Sequence, residues 1–271
     1  MVSDDVGEAV AEAGKAAAEA GVEVVLATTP AESRLVSEVL AAVWPRESGD
    51  PLVLPEFAHA LAHADNYVAF AQRGPKVVGA CIGFRGADAE GNLLHSHVAA
   101  VLPELQGGHV GLAMKLHQRA WSLARGIERM TWTFDPLIAR NSYFNVGKLG
   151  ARVTSFHQDF YGPMADAINQ GGPTDRCLAT WMLVDRRRSA VVPDEPIVLQ
   201  SGDGGHPVLS PRVSPRFVCC LPSGIVDMRQ REPALADEWR FALRTILIEA
   251  YASGSQITAV SRDGRYLIEQ P

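Results

Sequence analysis

The sequence predicts an α+β protein: a mixed, mostly antiparallel sheet flanked by helices, with a small C-terminal β-α-β-β unit. Three observations carry this. Three apolar runs, Tyr67–Gln72, Lys76–Phe84 and Leu93–Leu102, are separated only by "RGP" and "RGADAEGN", the spacing of an antiparallel meander. Stretches with apolar residues at helical spacing lie on both sides of that meander. Between residues 187 and 215 the composition shifts to proline, glycine and serine, which sets the last segment apart.

Residues 1–21 are acidic and alanine-rich and predict a helical arm separable from the core. "VEVVLA" (22–27) reads as a strand. Thr29, Pro30 and Glu32 then supply an N-cap, a first-turn proline and the acid of a capping box. Leu35, Val36, Val39, Leu40 and Val43 continue that helix until Pro45 stops it, and a further helix covers Pro55 to Ala64. After the meander, Val110–Arg125 reads as an amphipathic helix. Lys115, Gln118, Arg119, Ser122 and Arg125 mark its wet side; Ala113, Leu116, Ala120, Ala124 and Ile127 mark its dry side. "RMTWTF" (129–134) is a strand, "LIARNSYFNVGKLG" a helix ended by Gly150, and "ARVTSFHQDFYG" and "DRCLATWML" (175–183) are strands. Residues 187–215 read as a linker. In 216–271, "RFVCCL" begins a strand, a helix starts near Pro233 with Leu235, Trp239, Leu243, Ile246 and Ala250 on one face, and "QITAVS" and "RYLIEQ" form a closing hairpin.

With 47% hydrophobic and 21% charged residues, the chain can bury a sizeable core. Its net charge of -6 argues against nucleic-acid binding, which needs a dense basic face; the triplet Arg186, Arg187 and Arg188 follows a strand and reads as a solvated end. No run is long and apolar enough to predict a membrane span. Cys81, Cys177, Cys219 and Cys220 form no CxxC pair, and the N-terminus lacks the basic start and apolar centre of a signal peptide. Reduced thiols in the cytoplasm are the expectation.

The chemistry concentrates in "PELQGGHVGLAMKL" (103–116), a glycine-bearing turn that runs straight into a helix. Unpaired N–H groups at a helix start, with little side-chain bulk, are what a phosphate needs. His109 interrupts the glycines. Just upstream, His95 and His97 lie two apart and so share one face of a strand, where a neutral imidazole can accept a proton. Two hydrogen-bonded structural histidines satisfy the same pattern, and no third ligand suggests a metal. Asp135 either orients a catalytic group or caps the helix that follows it.

The order of these elements, and Gln106 to Gly111 between a meander strand and a helix, resemble the GNAT superfamily of N-acetyltransferases. "LHSHVAAVLPELQG", "TWTFDPLIARNSYFNVGKLGA", "FYGPMAD" and "PALADEWRFALRTILIEAYASG" are similar to a bacterial subgroup of acyltransferases with a C-terminal extension. The resemblance covers roughly residues 22 to 270 and makes 22–186 an acyl-coenzyme A-binding domain. It implies transfer of an acetyl or other short acyl group from acyl-coenzyme A to a primary amine of a small molecule, with an amino acid as one such acceptor. It also implies that Val101, Leu102, Gln106, Gly107, Gly108, His109, Val110, Gly111 and Asn141 hold the cosubstrate. His97 or His95 would assist deprotonation of the amine, with Asp135 nearby. Two departures stand out: His109 occupies the first motif glycine, and Val146 occupies the usual position of a tyrosine that protonates the departing thiolate. Tyr143 and Tyr161 are the nearest substitutes. Both departures also suit an acyl-coenzyme A-binding module without catalysis. A homodimer paired through a sheet edge or the C-terminal unit is compatible with either reading.

Overall fold

The computed structural model describes residues 2–46, 49–162, 172–185 and 191–270. The chain divides into two compact units, Met1–Trp132 with Met182–Val184, and Thr133–Trp181 with Asp185–Pro271.

In the first unit, β1 (Glu23–Leu26), β2 (Tyr67–Arg73), β3 (Lys76–Asp88) and β4 (Gly91–Val101) pair antiparallel in that order. The start of β5 (Arg129–Phe134) then pairs parallel with β4. Side chains alternate across this sheet with period two. Val68, Phe70, Ala80, Ile82 and Ala100 on one face pack with Val36, Val39 and Leu40 of α2 (Pro30–Val43) and Ala58 of α3 (Pro55–His63). The other face meets α4 (Val110–Leu123): a Cβ on Gly79 would fall 2.7 Å from the Met114 sulfur.

The start of α2 forms as its capping box predicts. Thr29 Oγ1 accepts from the Glu32 N–H at 3.2 Å, and the Glu32 carboxylate accepts the N–H groups of Thr28 and Thr29 at 2.8 and 2.9 Å. Those bonds, led by the one from Thr28, hold the Glu32 carboxyl below its usual pKa.

Two expectations about this unit change. The N-terminal segment is no separable arm: Ala9, Ala13, Ala16 and Ala20 of α1 (Val2–Ala20) are buried, and Arg119 of α4 donates to Glu12 at 2.9 Å. Small residues three and four apart make a flat face on which a second helix can lie close. Covered by α1 and by the sheet, α4 has no wet side over most of its length. Lys115, Gln118, Arg119 and Ser122 are all buried, and exposure begins past its end, at Ala124 and Arg125. The stretch "RGADAEGN" is likewise more than a turn, because β3 and β4 extend to Asp88 and Gly91.

In the second unit, β6 (Arg152–His157) pairs antiparallel with β7 (Arg176–Met182). A separate five-stranded sheet runs β11-β12-β10-β8-β9, from Gln256–Val260, Arg265–Glu269, Phe217–Cys220, Ile197–Ser201 and Pro207–Leu209 respectively. The expected linker therefore carries β8 and β9, and its glycines, with Gly204 and Gly205 at φ 64° and 80°, make the tight turn between them. β8 lies parallel to β10, whose other edge pairs antiparallel with β12. The hairpin of β11 and β12 forms as expected. The helix α7 (Pro233–Ala252) buries Leu235, Trp239, Leu243, Ile246 and Ala250, the predicted face, and a short α6 (Ile225–Arg231) precedes it. The helix expected up to Gly150 is instead one turn, α5 (Ala139–Ser142), followed by a π-helical turn over Tyr143–Lys148. Gly150 at φ 72° still ends it. Arg186–Arg188 and Pro163–Asp166 of "FYGPMAD" lie outside the described residues. Among the described residues, no helix is long and apolar enough to cross a membrane.

The packing of α1 predicts that Ala13→Asp, which places a carboxylate in the α1–α4 interface, costs about 2 kcal/mol in urea unfolding. An arm that is separable would leave the midpoint unchanged.

Candidate functional site

The strand β4 is where the site begins. Opposite it, β3 offers one residue, Gly83, against two of β4, Ser96 and His97, because Ile82 pairs with Val98 and Phe84 with His95. This β-bulge needs a glycine: a Cβ at Gly83 would stand 2.9 Å from Gln118 Nε2 and 3.1 Å from the His95 carbonyl oxygen. On its other edge β4 pairs with β5 only through Leu94 with Met130 and His95 with Thr131 among the described residues. From Ser96 onward that edge leads, without a β5 partner, into the turn before α4.

A 3-10 turn over Pro103–Leu105 closes the strand, and Gln106 Nε2 ties back to the Val101 carbonyl at 3.3 Å. Gly107 follows at φ 87°, which favours glycine, and His109 sits at φ 65°, ψ 0° as the residue capping α4. Its carbonyl accepts from the N–H groups of Leu112 and Ala113 at 3.0 Å each. The N–H groups of Gly107, His109, Val110 and Gly111 meet no backbone acceptor among the described residues. His109 thus takes the left-handed conformation a glycine would take, at a cost of about 1–2 kcal/mol, and leaves the main-chain donors in place. Its imidazole is exposed. A Cβ at Gly111 would meet only Val101 Cγ2, at 3.9 Å, so the space over the turn is open at that point.

His95 and His97 share a face of β4 as expected, 6.3 Å apart between ring centres, and both flank the half-exposed ring of Phe84 at 5.0 and 5.9 Å. Their environments differ. His95 is half-buried with Nδ1 3.1 Å from Thr131 Oγ1. Burial first, then the charges of His97 and Lys115, take its pKa down to about 4. It is neutral at pH 7 and too weak a base to compete for an ammonium proton. His97 is exposed, and burial of part of the ring lowers its pKa.

On the opposite face of β4 lies a group that helical periodicity misassigned. Lys115, only 6% exposed, donates to Ser96 Oγ at 2.6 Å and stands 4.0 Å over the Trp132 ring. No carboxylate is paired with it in the first unit's described ion pairs. Burial takes its pKa down to about 8. Cys81 beside it is raised by burial, against the pull of Lys115. A lysine on a helix face ordinarily reads as solvated, and only the serine between two histidines hints at a partner for it.

The remaining expected residues belong to the second unit. Both carboxylate oxygens of Asp135 are taken up within that unit. Its Oδ1 accepts the Leu137 N–H at 2.9 Å, which is the capping alternative, and its Oδ2 takes a 2.7 Å bond from Arg229 Nη2. Tyr143 is part-buried and lays its ring against Gly147, where a Cβ would fall 2.5 Å from Cδ2. Val146, at the tyrosine position of the resemblance, is buried. Tyr161 is 40% exposed, with its hydroxyl 2.8 Å from Thr133 Oγ1 and its ring edge-on to Phe160. Asn141 is exposed on α5.

No family model matches the chain, and no curated protein does. Solved structures do match. An acetyltransferase of the GNAT family from Streptococcus pneumoniae is 13% identical over 59% of this chain and 98% of its own, with a TM-score of 0.46. A ribosomal-protein alanine N-acetyltransferase from Escherichia coli gives 12%, 63%, 99% and 0.48. A GNAT family acetyltransferase from Elizabethkingia anophelis, solved with acetyl-CoA bound, gives 14%, 60%, 98% and 0.43.

The depressed Lys115 pKa has a sign that can be checked. Between pH of about 8 and 10.5 the unfolded chain holds a proton the folded chain has released, so this group makes stability rise with pH across that window. The stability difference between wild type and Lys115→Met, from urea melts, should move in favour of wild type from pH 8 to 10.5. A difference independent of pH would mean Lys115 is solvated.

Proposed function

We propose that the chain is a GNAT-type N-acyltransferase that moves an acetyl or other short acyl group from acyl-coenzyme A to the primary amine of a small molecule. The observation that carries this is the set of main-chain N–H groups at Gly107, His109, Val110 and Gly111 that meet no backbone acceptor among the described residues, directly after a strand that has lost its parallel neighbour. The donor set fits a pyrophosphate. Main-chain N–H groups bond an anion whatever the side chain, each such charge-assisted bond contributing about 1.5–3 kcal/mol, and the start of the fourteen-residue α4 adds a favourable dipole.

Acyl-coenzyme A, when bound, supplies an activated thioester. Gln106, Gly107, Gly108, His109, Val110 and Gly111 would hold its phosphates, and the main chain at Val101 and Leu102 would orient the acyl carbonyl. Asn141 would be a further contact. His97 takes the proton from the acceptor ammonium, directly or through a water; His95, held neutral against Thr131, positions the Phe84 face beside it. A thiolate, with a thiol pKa near 8.5, leaves without a dedicated acid, so the valine at 146 does not forbid the reaction. Tyr161, whose hydroxyl is partly exposed, is the better remaining candidate for an acid than Tyr143. We place the protein in the cytoplasm, and read 22–186 as the acyl-coenzyme A-binding part of the chain. A homodimer is compatible with this function.

A second reading is a coenzyme A-binding module without chemistry, favoured by the buried Val146 and by the commitment of Asp135 to Arg229. Two experiments separate them. In calorimetric titration, acetyl-coenzyme A should bind wild type, and His109→Gly should bind within tenfold of it or up to tenfold tighter, the equivalent of the left-handed strain relieved. No binding by either variant would end both readings. In a free-thiol release assay over pooled amines, His97→Ala should lower kcat at least a hundredfold while coenzyme A affinity holds. Binding with no thiol release across the panel favours the module.

A further inference from the structure

The second unit contains a buried charge cluster that the proposed reaction leaves unused. A cavity there is bounded by Asp135, Asp175, Arg229, Arg240 and Arg244, with leucine, proline and Phe156 side chains as its apolar wall. It encloses about 250 Å³ out to its mouth, yet only about 10 Å³ can take the centre of a water-sized sphere. It therefore has room for a single water or a monatomic ion, and not for a carboxylate or phosphate.

The two carboxylates are already committed. Arg244 grips Asp175 with two parallel bonds, Nε to Oδ2 at 2.8 Å and Nη2 to Oδ1 at 2.7 Å. Arg229 donates to Asp135 at 2.7 Å, and main-chain N–H groups of Leu137 and Asp159 fill further acceptor positions on the two acids. Arg240 is the third cation. It is 5% exposed, and its Nη1 is buried with no hydrogen-bond partner. Asp237, three residues earlier on α7, comes within 3.4 Å of that nitrogen, outside hydrogen-bonding geometry, and is itself half exposed. Burial first, then the neighbouring Arg229, press the Arg240 pKa down, against the pull of Asp237, Asp135 and Asp175, none of which hydrogen-bonds its Nη1. A guanidinium nevertheless stays charged, so the cost is met by a counter-charge or not at all.

We propose that this cavity binds one monovalent, monatomic anion of the size of chloride against Arg240 Nη1. The anion satisfies the buried nitrogen and screens Arg240 from Arg229. It thereby fastens α6 and α7 to the segment after β5 that carries Asp135. The class of ligand follows from the cavity: its charge selects an anion, and its size selects a single atom.

The test uses the full chain. Crystals soaked in sodium bromide should show an anomalous peak in contact with Arg240 Nη1. In melts at fixed ionic strength, sodium chloride should raise Tm over sodium gluconate, an anion too large for the cavity, by about 2–4 °C. Arg240→Met should lose that difference. Bromide at surface positions only, a Tm equal in both salts, or a chloride effect that survives in Arg240→Met would each overturn the proposal. Should Arg240→Met fail to fold, the soaked wild-type crystal decides.

Discussion

Everything distinctive in the first unit depends on one glycine facing two residues. Gly83 lies opposite Ser96 and His97, with Gln118 and the His95 carbonyl filling the space where a side chain would be. The extra residue in β4 shifts its alternation by one. His95 and His97 stay on one face, while Ser96 turns to the other and meets Lys115. Past the bulge, Val98 and Ala100 return to the core beside α2. The strand therefore presents a pair of imidazoles, anchors a buried ammonium and delivers the chain into the turn before α4, all within seven residues.

The two units handle buried cations differently. Lys115 has one hydroxyl, one amide oxygen at 3.4 Å, a sulfur and an aromatic face around it, a set that tolerates a neutral amine as readily as a charged one. Its pKa falls accordingly. Arginine has no such release, because its guanidinium does not lose its proton in a protein. The cluster around Asp135 and Asp175 therefore pairs two guanidiniums with two carboxylates by close hydrogen bonds and leaves the third with an unsatisfied nitrogen. The difference between a titrating and a non-titrating cation decides whether burial is relieved by a proton or by a ligand.

Much of the fold was legible. The capping box at Thr29 and Glu32, the meander, the glycine turn and the buried face of α7 all form where local chemistry places them, since each depends on residues close in sequence. The misreadings share one cause. An alanine stripe in residues 1–21, a polar stripe on α4 and a proline-rich stretch before Phe217 read as exposed when taken alone. They are buried or paired because something distant in sequence covers them: α4 lies on α1, the sheet on Lys115, and β10 beside β8. The candidate site divides in the same way. The donors from Gly107 to Gly111 and the shared face of His95 and His97 follow from spacing, whereas the capture of Asp135 by Arg229, 94 residues away, does not.

The sequence by itself determined the capped start of α2, the meander and the glycine turn before α4, because capping, alternation and glycine conformations are local and cost energy wherever the chain goes. Only the tertiary structure decided that His95 is more deeply buried than His97, that Asp135 is bonded to Arg229, and that Lys115 and Arg240 are buried. Those outcomes rest on desolvation and on charges brought close by folding, and neither quantity exists until the chain is packed.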